Sequence, residues 1–250
     1  MRAPGSIDLN ADLGEGMPGE TELMALVTSC NIACGGHAGD AQSMRAALKL
    51  AKQHGVSAGA HPSYPDLEGF GRRDLEISDT GLMDSLKRQV ETLRDLAGES
   101  DVALTHLKPH GALYNRAAVD PKRADLIVRV ARETLPGAAL VGPPGSELQR
   151  AAERQGLNFF AEAFADRAYQ PNGELVPRSV PGAVIEQDEA RMAQALSIAL
   201  QGQVATIEGG QLELPAETIC LHGDSPGAVR SAGLIRQALV QAGIEIKAPQ

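Results

Sequence analysis

Three ionisable side chains alternate with other residues in the segment 105–111, which reads THLKPHG: His106, Lys108 and His110. On a β-strand these side chains share one face, because successive side chains point to opposite faces. Burying three such groups costs free energy unless they are paired or take part in chemistry. Pro109 cannot donate to a sheet ladder, so the strand is expected to end near it. The segment therefore predicts a strand that runs into an active site.

A metal site is a rival interpretation of these histidines. On a helix, the spacing of His106 and His110 would let both bind one ion. On a strand the same spacing separates their Cα atoms by about 13 Å, too far for easy chelation of one ion. A site that combines Asp12 with His37 or His61 stays open, because a barrel brings distant strands together. His106, the deepest of the three residues in its strand, is expected to be structural.

Seven predicted strands alternate with helices along the chain. They cover residues 7–13, 30–34, 57–61, 104–110, 138–141, 158–166 and 218–224, with a small hairpin at 204–214. This alternation is typical of a parallel sheet covered by helices. Polar residues recur on one face of most strands, which favours a closed barrel over an open sheet with two apolar faces. We expect an α/β fold, a single (β/α) barrel domain of about seven strands over residues 1–250.

The polar faces of these strands carry the candidate site residues. In chain order they are Asp8, Asn10, Asp12, Asn31, His61, His106, Lys108, His110, Glu162, Asp166, His222 and Asp224. Every charged residue among them is expected at or near the carboxyl end of a strand, where active sites of (β/α) barrels form. Asp8 can instead pair beneath the pocket. Lys108 is the strongest candidate, because a lysine between two histidines on a buried face is costly without a function.

Composition and motifs exclude several classes of function. The net charge of −9 disfavours nucleic acid and anionic membranes as partners, since both select a basic surface. No stretch approaches the roughly 20 apolar residues of a membrane span. A P-loop of the form G-x-x-x-x-G-K-S/T and a G-x-S-x-G nucleophile motif are both absent from the sequence. The glycine-rich turns at 142–146 and 223–227 precede helices and could hold an anion.

The cysteines predict a reducing compartment. Cys30, Cys34 and Cys220 make an odd number with no disulfide-framework spacing, and the first residues lack the apolar run of a signal peptide. Cys30 and Cys34 resemble a metal pair only superficially and are expected to be buried core thiols. A cytoplasmic protein is therefore expected.

Seven sequence blocks resemble the LamB/YcsF family. They are DLNADLGEG (8–16), NIACGGHAGD (31–40), GAHPSYPD (59–66), GFGRR (69–73), KPHGALYN (108–115), EAFADRAY (162–169) and LHGD (221–224). The resemblance implies a barrel akin to those of glycoside hydrolases and deacetylases. It also implies the activity of the A component of the bacterial ATP-dependent 5-oxoprolinase. That enzyme opens the lactam of 5-oxo-L-proline to L-glutamate, and its other two components are subunits B and C.

Under this resemblance we hypothesise roles for the catalytic residues. Lys108 would neutralise the lactam oxygen or the transferred phosphoryl group. Asp12, with Glu162 as the alternative, would be the base for water, and His61 or His110 would protonate the leaving nitrogen. ATP would be the co-substrate, with Mg²⁺ accompanying it.

The remaining candidates are assigned to substrate binding. They are Asn10, Asn31, His37, Arg72, Arg73, Asp166, His222 and Asp224. Either arginine could hold the substrate carboxylate through a bidentate ion pair. Two other functions stay open: a metal-dependent amide or N-acetyl hydrolase that acts without ATP, and a non-enzymatic component that holds 5-oxoproline for its partners.

Overall fold

The predicted barrel is confirmed by a computed structural model, which describes residues 5–223 and 227–249. The strands are β1 (Ser6–Leu13), β2 (Ser29–Ala33), β3 (Ser57–His61), β4 (Leu104–Leu107), β5 (Ala139–Gly142), β6 (Phe159–Phe164), β7 (Gln203–Ala205), β8 (Gln211–Glu213), β9 (Thr218–Cys220) and β10 (Glu245–Ile246). Seven of them are parallel neighbours in the order β1-β2-β3-β4-β5-β6-β9, and β9 also pairs with β1. This last pairing closes the barrel, while β10 extends the pairing at the start of β1.

Helices cover the outside of this barrel. They are α1 (Glu20–Met24), α2 (Ala41–His54), α3 (Asp79–Glu99), α4 (Gly111–Val119), α5 (Pro121–Thr134), α6 (Glu147–Arg154), α7 (Asp188–Gln201) and α8 (Ala228–Gln241). Helix α2 shows why the local sequence folds this way: Asp40 caps its first turn with Ser43, and Gly55 ends it in a left-handed conformation. None of the described helices is long and apolar enough to cross a membrane.

Both faces of strand β1 are buried. Leu9 and Ala11 belong to the hydrophobic core between strands and helices. Asp8 and Asn10 instead bond to side chains of other strands inside the barrel. Alternation of apolar and polar residues therefore divides the helix side from the barrel interior here, rather than core from solvent.

The segment 105–111 differs from its prediction in two ways. Strand β4 ends at Leu107 rather than at His110, and helix α4, which the sequence did not reveal, begins at Gly111. The extended path nevertheless continues, because the amides of Lys108 and His110 donate to carbonyl groups at and just after the end of β3, both at 2.9 Å. Gly111 has a φ of 58°, a value that glycine adopts readily, where the chain turns into α4.

Two other strands also end earlier in the chain than predicted. The strands expected at 158–166 and 218–224 end at Phe164 and Cys220. Asp166 and His222 therefore lie in the connections that follow β6 and β9, and Asp224 lies outside the described residues. The predicted hairpin at 204–214 is confirmed as the antiparallel pair β7 and β8.

Candidate active site

Asp8 is held at the amino-terminal end of the barrel interior. Its carboxylate accepts hydrogen bonds from the hydroxyls of Thr28 at 2.7 Å, Ser29 at 2.6 Å and Thr218 at 2.5 Å. Burial raises the pKa of Asp8, and these hydroxyls partly offset that effect. Asp8 thus pairs beneath the pocket, one of the two expectations for it.

Asn10 and Asn31 form the next layer of the barrel interior. The Asn31 amide donates to Asn10 and to Asp12, both at 2.9 Å, and Asn10 donates to Glu162 at 3.0 Å. His106 Nε2 contacts the Asn31 carbonyl oxygen at 2.9 Å. The two asparagines, predicted to bind substrate, lie below the carboxylates and fix the orientation of Asp12 and Glu162.

Lys108 lies above this layer, between two carboxylates. Its ammonium group is 3.0 Å from Asp12 Oδ1, 2.9 Å from Glu162 Oε1 and 3.2 Å from Cys220 Sγ. Burial opposes the charged form, but Asp12 and the other neighbours outweigh it and hold the pKa of Lys108 well above its usual value. The lysine is therefore a buried, fixed positive charge.

Asp12 balances that charge. Burial would raise the pKa of its carboxyl, but His61 and Lys108 outweigh burial and hold the pKa well below its usual range. Both carboxylate oxygens are engaged, Oδ1 by Lys108 and Asn31, and Oδ2 by His61 at 3.2 Å. Asp12 is thus ionised and serves as the junction between the lysine and the histidines.

Two histidines meet beside Asp12. His61 Nδ1 lies 2.8 Å from the carbonyl oxygen of Lys108, and His110 Nε2 lies 3.0 Å from that of Phe70. Their other ring nitrogens, His61 Nε2 and His110 Nδ1, are 2.9 Å apart. Burial and the neighbouring histidines hold the pKa of His110 well below its usual value, so its ring is neutral near pH 7.

Glu15 and His37 complete this group from loops. His37 Nε2 is 3.0 Å from Glu15 Oε1, and the His37 ring stacks on that of His110 with centroids 3.6 Å apart. Burial lowers the pKa of His37 to about 4. Sequence reasoning missed Glu15 as a site residue, because it follows β1 in a loop rather than on a strand face. Its nearness to Asp12 in the DLGEG block was the available signal.

A cavity of about 590 Å³ opens at the carboxyl ends of the strands. The predicted residues that it brings together are Asp12, His61, Arg72, Lys108, His110, Glu162 and His222. Its volume falls within the range of about 300–1,000 Å³ found for small-molecule sites. The mouth of the barrel is therefore the candidate active site.

Several further lining residues were not predicted, among them two tyrosines and an arginine. Tyr114 comes from α4, which the sequence did not reveal, while Arg167 and Tyr169 follow β6 in the EAFADRAY block. The Tyr114 hydroxyl and Glu162 Oε2 are buried and neither makes a hydrogen bond of standard geometry among the described residues, although burial and the nearby Glu162 carboxylate raise the pKa of Tyr114. Buried polar atoms are usually paired, so these two are suited to receive a polar ligand from the cavity.

The two candidate arginines diverge. Arg72 lines the cavity, with its guanidinium group over the Phe70 ring at 4.9 Å from the centroid. Arg73 instead pairs with the buried carboxylate of Asp66 and contributes nothing to the cavity lining. Arg72 is thus the arginine positioned to meet a ligand.

His222 forms the opposite wall with Asp166 behind it. His222 Nδ1 is 3.0 Å from Asp166 Oδ1, and its ring stacks on Phe164 with centroids 5.1 Å apart. Burial opposes ionisation of Asp166, but His222 outweighs it and lowers the pKa of that carboxyl. Asp166 therefore orients His222 rather than lining the cavity itself.

Taken together, these groups suit polar bond hydrolysis. Lys108 offers positive charge for a developing oxyanion, Glu162 offers a carboxylate oxygen for a proton, and the imidazole of His110 can pass protons. This combination of a fixed cation, a base and a proton carrier in a partly closed cavity is typical of amide or acyl hydrolysis.

Comparison with known proteins gives consistent matches. The sequence model described as "LamB/YcsF family" matches residues 7–250. The chain is 39% identical to a lactam utilization protein from Thermus thermophilus, with a TM-score of 0.90 over 98% of this chain and 100% of that one.

More distant solved structures also match. A family GH18 chitinase catalytic domain from the fern Peteris ryukyuensis has 8% identity and a TM-score of 0.50, over 92% of this chain and 98% of that one, and it shares the barrel fold. A family 4 carbohydrate esterase from Streptomyces lividans has 11% identity and a TM-score of 0.47, over 98% and 93%.

Proposed function

Because the chain belongs to the LamB/YcsF family, we propose that it is the A component of an ATP-dependent 5-oxoprolinase. Its reaction would convert 5-oxo-L-proline, ATP and two waters to L-glutamate, ADP and phosphate. The similarity to a lactam utilization protein supports a lactam as the substrate. The observation that carries the proposal is Lys108, a permanent buried cation at the cavity between Asp12 and Glu162.

The need for ATP follows from the stability of a lactam. The lactam oxygen would attack the γ-phosphorus of ATP, and the bond from that phosphorus to ADP would break. Water would then add to the activated carbon, the ring nitrogen would leave, and a second water would release phosphate from the resulting acyl phosphate. Lys108 would stabilise the negative charge on the lactam oxygen or the phosphoryl group.

Glu162 is the better candidate for the base that activates water. Its Oε2 makes no hydrogen bond of standard geometry among the described residues, whereas both oxygens of Asp12 are engaged. We therefore assign proton removal to Glu162, and to Asp12 the positioning of Lys108 and His61. His61 or His110, both at the cavity wall, would protonate the leaving nitrogen.

Arg72 would bind the carboxylate of 5-oxo-L-proline. It lines the cavity, and a guanidinium group holds a carboxylate through two parallel hydrogen bonds. His222, oriented by Asp166, would contact the same ligand from the other wall. His37 would hold the ring of His110 in place by stacking on it.

The proposal includes partners and a compartment. Subunits B and C would complete the enzyme, Mg²⁺ would accompany ATP, and a reaction that consumes ATP belongs in the cytoplasm. Cys30, Cys34 and Cys220 are buried free thiols, as a reducing compartment allows.

The test is glutamate release from 5-oxo-L-proline by the chain with subunits B and C, with and without ATP. We expect release only with ATP and all three components. Lys108→Met should abolish it, while Lys52→Met, which removes an exposed lysine, should leave it unchanged. Near-normal turnover by a folded Lys108→Met protein would contradict the role of Lys108.

A second candidate function is hydrolysis of an amide or N-acetyl group without ATP. The group of histidines and carboxylates around His61 favours it, because such groups can hold a catalytic metal. It predicts turnover by the isolated chain that needs no ATP and that a chelator abolishes.

A third outcome would identify a component that only binds substrate. In that case the chain would bind 5-oxoproline tightly, and Glu162→Gln would leave turnover by the complex with subunits B and C normal.

A further inference from the structure

We propose that Glu15, His37, His61 and His110 form a binding site for one divalent transition-metal ion of the Zn²⁺ type. One potential ligand atom from each residue lies within 4.8 Å of all the others. The site is separate from any Mg²⁺ that accompanies ATP. With an ion bound, His61 and His110 would be its ligands and would not protonate the leaving nitrogen.

The hydrogen bonds of two histidines fix where their lone pairs point. The backbone carbonyl oxygens beside His61 Nδ1 and His110 Nε2 can only accept, so both of these nitrogens carry hydrogen. Their other nitrogens, His61 Nε2 and His110 Nδ1, face each other at 2.9 Å. Two imidazole nitrogens at this distance need a positive charge beside them, supplied either by a proton on one ring or by a bound cation.

The surrounding atoms add acceptors at the same place. Asp12 Oδ2 is 3.2 Å from His61 Nε2, and Glu15 Oε1 is 3.7 Å from His110 Nδ1. His37 Nε2, on a side chain that is almost fully buried, is 3.0 Å from Glu15 Oε1. Carboxylate oxygens and imidazole nitrogens thus converge on one buried point, as ligands of a cation do.

The distances fit a small transition-metal ion. Ligand bonds of about 2.0–2.2 Å in tetrahedral geometry place neighbouring ligand atoms about 3.3–3.5 Å apart. The observed separations are 2.9 Å for His61 and His110, 3.0 Å for His37 and Glu15, and 3.7 Å for His110 and Glu15. All the other pairs lie within 4.8 Å, so side-chain shifts of about 1 Å or less would seat an ion.

The outer contacts also match those of metal-binding histidines. Such histidines almost always donate their second ring N–H to a carboxylate or a backbone carbonyl, which fixes the ring orientation. His61 and His110 do this with the carbonyl groups of Lys108 and Phe70. Imidazole nitrogens favour Zn²⁺, Fe²⁺, Ni²⁺ and similar ions, whereas Mg²⁺ prefers oxygen ligands alone.

The site is accessible from the cavity. His61 and His110 are part of its lining, so an ion could enter from there. Asp12 connects the site to Lys108, with its Oδ2 on His61 and its Oδ1 on the lysine. A metal ion and the lysine ammonium would then act on the same cavity from either side of one carboxylate.

The test is a binding measurement on the full chain after chelator treatment. The protein is incubated with ZnCl₂, desalted and analysed for zinc by mass spectrometry, and Co²⁺ is titrated with detection of its visible absorption. We expect one equivalent of either ion and a Co²⁺ spectrum typical of mixed nitrogen and oxygen ligands. Glu15→Gln and His110→Ala should each weaken binding by about tenfold to a hundredfold or more.

Two histidine variants serve as matched controls. His54→Ala removes an exposed histidine at the end of α2, and His106→Asn removes a buried one outside the cluster. Both should bind zinc as the unmodified chain does. Failure of the unmodified chain to bind Zn²⁺ or Co²⁺, or equal binding by the folded cluster variants, would overturn the inference.

The zinc-binding measurement is independent of the glutamate-release assay. Zinc binding is measured without 5-oxoproline, ATP or partner subunits. Normal ATP-dependent glutamate release by a chain that binds no metal would remove only the metal site. Stoichiometric zinc without any glutamate release would remove only the proposed reaction.

Discussion

Lys108 and Asp12 form an ion pair of 3.0 Å at the cavity, and their side chains are only 2% and 4% exposed. Such a pair is a liability for stability when one partner is missing, because the other charge stays buried without compensation. The pair therefore offers a direct test of the site's electrostatics.

Replacing one or both members of this pair should show that their contributions to the free energy of unfolding are coupled. Lys108→Met should lower the free energy of unfolding by about 3–5 kcal/mol, since it leaves Asp12 and Glu162 buried without a counter-charge. The double variant Lys108→Met/Asp12→Asn should lose less than the sum of the two single variants. Urea unfolding of all four proteins measures this coupling.

A surface lysine provides the control. Lys52 pairs with Asp101 at 3.3 Å on the exposed surface, so Lys52→Met should change stability by only about 0–1 kcal/mol.

Additive losses of unfolding free energy in the double variant Lys108→Met/Asp12→Asn would mean that Lys108 and Asp12 do not interact as described.

The two neighbouring arginines should separate binding from stability. Arg72→Ala should raise the KM for 5-oxo-L-proline by about tenfold or more and change kcat less, because a carboxylate clamp binds ground state and transition state alike. Arg73→Ala should leave KM unchanged but lower the Tm, because it removes the partner of the buried Asp66 carboxylate. Steady-state kinetics and thermal melts of both variants measure this, and equal KM values would refute the role of Arg72.

The three cysteines should be inert in the folded protein. Burial raises the pKa of Cys30 and of Cys34 to about 12, and it raises that of Cys220 as well despite the nearby Lys108. Thiolate is the reactive form, so a disulfide reagent such as DTNB should label none of them near pH 8. The same protein in denaturant should release three equivalents of chromophore. Rapid labelling of the native chain would contradict the buried positions.

His106 should make stability depend on pH. Burial and the charge of Lys108 lower its pKa to about 3, whereas an unfolded histidine titrates near 6.5. As pH falls from about 6.5 towards 3, the unfolded state takes up a proton that the folded state refuses. Stability should therefore fall with pH, by about 1.4 kcal/mol per pH unit from this group.

The corresponding variants isolate that contribution. His106→Asn should show a shallower loss of unfolding free energy between about pH 6.5 and about pH 4.5, measured with urea in the presence of chelator. His54→Asn, which replaces an exposed histidine, should follow the unmodified chain. Parallel curves for His106→Asn and the unmodified chain would show that His106 is not held neutral by the fold.

Much of the barrel was predictable because it depends on local periodicity. Alternating residues in β1 and in the segment 105–111 assign side chains to strand faces without any knowledge of the fold. Seven strands separated by helices then imply a parallel sheet, and polar inner faces imply its closure. The same alternation identifies Lys108 and Glu162 as inward-facing residues without any knowledge of the distance between them.

Loops and helix α4 were not predictable on the same grounds. Helix α4 follows the strand without a polar capping side chain, so no local signal marked its start at Gly111. Glu15 lies in a loop, where side-chain direction follows no period. Its contact with His37, 22 residues later, exists only because the loops after β1 and β2 meet at the barrel mouth.

The sequence by itself determined the strand faces, the barrel and the pool of ionisable residues, since these follow from local pattern and composition. Only the tertiary structure decided which members of that pool meet. Closure of the barrel brought Lys108 to Asp12 and Glu162, sent Arg73 to Asp66, and placed Asn10 and Asn31 beneath the cavity. The physical reason is that pairing between buried charges depends on distances of a few ångströms across strands far apart in sequence.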